Sequence, residues 1–111
     1  MAHTIRQRDT ARLIAAGDED NGTMIVLEGC WYFDPEVVDM THLTVTERTY
    51  TCPYKGVCYW IDLDSPALQA RNIGFMYRHP LAEYEAIAGR IAFYGRDTSG
   101  TTAVMDKSET V

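Results

Sequence analysis

Positive charge is scarce in this sequence. Ten lysines and arginines stand against sixteen acidic residues, for a net charge of −6 and an isoelectric point near 4.9. That balance excludes the basic footprint of a nucleic-acid binder, and an anionic membrane surface would repel the chain. No apolar run approaches the roughly 20 residues of a membrane-spanning helix. The opening MAHTIRQRDT is polar and has no apolar stretch of the kind a secretory signal needs, which points to the cytoplasm. Cysteine is rare and odd in number. Cys30, Cys52 and Cys58 fit free thiols in a reducing compartment, and no Cys-x-x-Cys pair offers a zinc knuckle. Glycine-rich phosphate loops, repeats and low-complexity blocks are also missing. Neither a metal nor an organic cofactor is expected.

What is present is apolar and aromatic. Of 111 residues, 46% are hydrophobic, enough for one core but not two. We expect a single β domain over residues 11–95, flanked by loose polar ends at 1–10 and 96–111. ARLIAA (11–16) opens a strand or a helical turn, and Asn21-Gly22 marks a turn. TMIVLEG (23–29) reads as a strand that Trp31, Tyr32 and Phe33 extend. Asp34-Pro35-Glu36 reads as a one-turn helix start with Asp34 as N-cap. HLTVTERTYT (42–51) alternates as a strand does, and VCYWIDL (57–63) is apolar on both parities. In NIGFMY (72–77) Ile73, Phe75 and Tyr77 share one face, with Gly74 opposite for close approach. Pro80 opens a helix whose Leu81, Tyr84, Ile87 and Ala88 form an apolar stripe ending at Gly89. RIAFY (90–94) is a further strand. The predicted fold is mainly β: a small antiparallel barrel or two packed sheets, with one short helix near the C-terminus.

TYTCPYKGVCYW (49–60) is the densest stretch. Pro53 suits the second position of a β-turn, so Cys52-Pro53-Tyr54-Lys55 is a turn that brings the Cys52 thiol toward the Lys55 ammonium. A cation beside a thiol favours the thiolate. Alternatively, Cys52 packs as a small hydrophobe and Lys55 is a solvated turn residue.

Four blocks in order, EGCWYFDPEVV, TCPYKGVCYW, FMYRHP and IAGRIAFY, resemble the domain of unknown function 427 family from about Thr23 to Tyr94. The matching positions are Glu28, Gly29, Tyr32, Phe33, Pro35, Cys52, Pro53, Lys55, Gly56, Trp60, Tyr77, Pro80, Gly89 and Phe93. Departures are Cys30, Asp34, Cys58, Phe75 in place of a usual tryptophan, and Arg78-His79 in place of an often acidic pair. The resemblance implies a tent-like (β-tent) arrangement of two antiparallel sheets and leaves the activity open, although a nucleotidyltransferase-like label attaches to the family.

Asp62-Leu63-Asp64 would supply carboxylates for such chemistry, but no Gly-Ser precedes it and no basic cluster waits for a triphosphate. The leading expectation is a pocket lined by Tyr32, Trp60 and Tyr77, with Glu28 and Lys55 as polar contacts and Cys52 at the wall. It would take a small molecule or a short peptide end, and aromatic walls would suit a cation. The alternatives are an enzyme using Cys52 as an activated thiol beside Lys55, and a structural module that dimerises through an edge strand.

Overall fold

The computed structural model describes residues 1–106. Nine strands build it: β1 (Ala2–Gln7), β2 (Leu13–Asp18), β3 (Met24–Leu27), β4 (Cys30–Phe33), β5 (Leu43–Cys52), β6 (Gly56–Asp64), β7 (Gln69–Tyr77), β8 (Ile91–Tyr94) and β9 (Thr101–Asp106). They form two antiparallel sheets, not a closed barrel. One has six strands in the order β3-β4-β8-β7-β6-β5, the other three in the order β2-β1-β9.

Alternation along the strands builds two apolar clusters rather than one. Ile5 and Ile14 of the small sheet pack with Trp31, Phe33, Ile61, Leu63 and Phe93 of the large one. The residues between these, Tyr32, Cys58, Phe75, Tyr77 and Ala92, form a second cluster on the opposite, outer face of the large sheet. This explains why VCYWIDL is apolar on both parities: Cys58 and Trp60 serve the outer face, Ile61 and Leu63 the inner one. Ile73 joins the inner cluster and not Phe75 and Tyr77, next to a ladder irregularity where Asn72 is left-handed (φ 57°).

Three expectations are corrected. The strand begun at Thr23 does not run on to Phe33. It folds back at Glu28-Gly29, where both residues are left-handed (φ 55° and 78°), as a tight two-residue hairpin turn requires. The C-terminal helix is not formed. Ala82–Ile87 is 3-10 structure interrupted at Tyr84 (φ −115°, ψ 23°), and no side chain caps its start. Of its apolar stripe only Ile87 is buried, while Leu81 is 51% exposed. Burial on one residue does not recover the cost of nucleating an α-helix. Finally, the ends are not loose where described: residues 2–7 and 101–106 pair with each other as β1 and β9. Residues 107–111 of the expected tail lie outside the described residues. The Asp34 turn forms as expected, with Asp34 accepting from the Glu36 N–H at 3.0 Å before a 3-10 turn at Pro35–Val37.

Gly74 sits where β7 and β8 pair only through Gly74–Phe93 and Phe75–Ala92. A Cβ there would lie 2.5 Å from the Ala92 carbonyl oxygen. Gly74→Ala is therefore expected to cost about 1–3 kcal/mol through forced backbone separation. Urea unfolding at one temperature checks this, and an unchanged midpoint would mean the two strands do not approach so closely.

Candidate functional site

The outer face of the six-stranded sheet gathers all six residues singled out from the sequence. Its floor is aromatic. Phe75 is the hub, edge-on or tilted against Tyr32 (5.9 Å between ring centroids), Trp60 (6.0 Å), Tyr77 (6.0 Å) and Tyr94 (5.7 Å). Edge-to-face contacts at this spacing are attractive beyond the area they bury. Tyr32 and Tyr77 are nearly inaccessible, and burial pushes both phenols well above the ordinary tyrosine range, so both keep their protons. Trp60 remains partly exposed and meets Tyr50 (6.4 Å), itself 53% exposed, to leave an aromatic strip open to solvent.

The polar part is built on the β5–β6 hairpin. Cys52 pairs with Gly56, which leaves Pro53, Tyr54 and Lys55 as a three-residue loop, and Gly56 is at φ 108°. Lys55 is buried. Its ammonium donates to Glu28 Oε1, its charge lies 5.1 Å from the Tyr84 ring, and its carbonyl accepts from Leu81 N at 2.9 Å. Glu28 is the first of the two left-handed residues of the β3–β4 turn, so the pair ties two hairpins together across the outer face. The hydrogen bond to Glu28 raises the Lys55 pKa despite burial, and the lysine stays charged. Glu28 keeps 58% of its side chain exposed.

Cys52 is half-buried beside this pair. Its thiol is held below the ordinary range, chiefly by the backbone N–H of Tyr54. Burial opposes this, and the Lys55 N–H, the Lys55 charge and the Tyr77 hydroxyl add to it. The turn backbone, more than the ammonium, therefore favours the thiolate. Burial moves Cys30 and Cys58 the other way.

Sequence reasoning did not place Tyr50 and Tyr84 in the site. Tyr50 was legible in principle, being two residues before Cys52 on the same strand face. Tyr84 was assigned to a helix stripe that does not form. Two concavities lie away from the aromatic face. One, of about 530 Å³, borders Asp62, Asp64 and Arg71, and the other, of about 250 Å³, borders Gln7, Arg12 and His42. The first contains the carboxylate pair weighed for nucleotidyl transfer. There Asp62 is occupied by Arg48 and by the Asn72 N–H at 2.9 Å, and no third metal-ligating side chain joins the pair among the described residues. No helix among the described residues is long and apolar enough to cross a membrane.

Residues 21–106 match the family described as Domain of unknown function (DUF427), and the chain belongs to that family. No curated protein matches the chain.

Proposed function

We propose that this member of the domain of unknown function 427 family is a cytoplasmic binding domain for a small amine or the amino end of a short peptide. The observation that supports it most is the Glu28–Lys55 pair. Lys55 is buried and fixes one carboxylate oxygen, while Glu28 is mostly exposed and offers its remaining lone pairs outward. An ammonium group would be received there, with the Trp60–Tyr50 strip beside Cys52 taking adjoining apolar or cationic groups. The packed floor of Tyr32, Phe75 and Tyr77 holds these groups in place and is not the cavity wall.

The test uses Cys52 as reporter in a Cys30→Ser, Cys58→Ala background. A tripeptide with a free amino end is expected to slow Cys52 alkylation, and the same peptide N-acetylated is not. Glu28→Gln should remove the protection. Equal alkylation rates with and without both peptides would refute the reading.

A second reading, thiol chemistry at Cys52, is favoured by the turn backbone at Tyr54 and Lys55, which holds the thiol below the ordinary range. A lowered thiol pKa enlarges the thiolate fraction at neutral pH, so the alkylation rate should reach its midpoint at lower pH than that of an unfolded thiol. Lys55→Met is expected to raise that midpoint only in part, because the Tyr54 N–H is the larger influence. A wild-type midpoint in the ordinary thiol range would remove this reading.

A further inference from the structure

The open end between the two sheets carries a buried polar group that the site above does not use. Gln7 ends β1 on its core-facing side and is only 3% exposed. Its Nε2 donates to Asp9 Oδ1 at 2.8 Å and to Ser65 Oγ at 3.0 Å. These partners fix the amide's orientation: a carboxylate only accepts, and the Ser65 hydroxyl donates its own proton to the Leu68 carbonyl at 3.0 Å. Gln7 Oε1 is then left buried with no hydrogen-bond partner. Unmade bonds of this kind are destabilising, and native structures seldom leave them so.

Gln7 also lines the cleft of about 250 Å³, together with Thr10, Arg12, His42, Ser65 and Pro66. That is well beyond the room one water needs, about 30 Å³. Arg12 is paired with Asp39 at 2.8 Å, and the Asp9 carboxylate is not among the residues lining the cleft, so no unpaired arginine, lysine or carboxylate of the lining is offered to an ion. We infer that this cleft is a second binding site, for a small uncharged molecule with a flat apolar body and one N–H or O–H donor. The apolar body lies on Pro66, and the donor satisfies Gln7 Oε1. A shift of the Asp9–Thr10 turn, exposed at the cleft's edge, would admit it.

Phenol and anisole are the probes, since they share a ring and differ in the donor. Titrations of the full chain followed by amide NMR should show phenol shifting Gln7, His42 and Ser65 signals. It should bind roughly tenfold more tightly than anisole, the size of one satisfied acceptor. In Gln7→Met the two probes should bind alike. The Gln7 side-chain amide signals of the wild-type chain give an independent readout if that variant fails to fold: phenol should move them and anisole should not. Equal affinities in the wild type, shifts centred elsewhere, or no shift at all would overturn the inference and leave the oxygen to water alone.

Discussion

Replacing Phe75 by alanine is expected to destabilise the protein by about 3–5 kcal/mol, the range for removing a buried aromatic ring. Phe75 is 7% exposed and touches four other rings, so the void could not close without moving several of them. Against a total stability of about 5–15 kcal/mol, one substitution removes a large share. Urea unfolding should show the midpoint fall with the slope unchanged. The result also bears on function. Were the loss small, the outer face would be a loosely filled pocket, and Tyr32 and Tyr77 would return as ligand-contacting walls.

The second large effect is a steep loss of stability in alkali. Burial raises the pKa of Tyr32 and of Tyr77, and the Glu28 bond raises that of Lys55. All three folded-state values lie above the unfolded ones, so their contribution is complete below the unfolded pKa of each. It drains away as pH climbs toward the folded values, because the unfolded chain releases protons that the folded chain retains. Each such group contributes a slope of about 1.4 kcal/mol per pH unit. Tyr32 and Tyr77, whose folded values lie far above the unfolded one, should together lower stability by about 3 kcal/mol per pH unit near pH 11, and Lys55 adds to the fall. Unfolding midpoints measured from pH 8 to 11.5, with phenolate absorbance followed in parallel, check this. Tyr77→Phe should flatten the slope by up to about 1.4 kcal/mol per pH unit, and an unchanged slope would show that Tyr77 ionises freely in the fold.

Most strands were legible because alternation and turn chemistry agreed, as in HLTVTERTYT, RIAFY and the Cys52–Lys55 turn. The Glu28-Gly29 turn was hidden because glutamate seldom adopts a left-handed backbone and its flanks are all apolar. PLAEYEAIAG misled for the opposite reason: its spacing is helical, but the fold offers that stripe no surface to cover. β1 and β9 escaped because polar residues predominate in β1 and make up half of β9, and because their pairing is distant in sequence. Membership of the site was legible through the family's motif. The meeting of Glu28 with Lys55 was not, since no spacing rule links two turns on separate hairpins.

The pairing of β1 with β9 joins residues a hundred positions apart, as the Thr4–Val104 contact shows. On the ribosome β1 is made first and waits while every strand of the large sheet is synthesised. The Cys52–Lys55 hairpin and its aromatic floor belong entirely to the large sheet, so they are complete before β9 emerges. The apolar cluster between the sheets takes Ile5, Ile14 and Ala15 from β1 and β2, and β9 closes its edge last with Ala103. Its inner face is the surface a nascent chain would show to a chaperone, and closing that long loop should set the pace of folding.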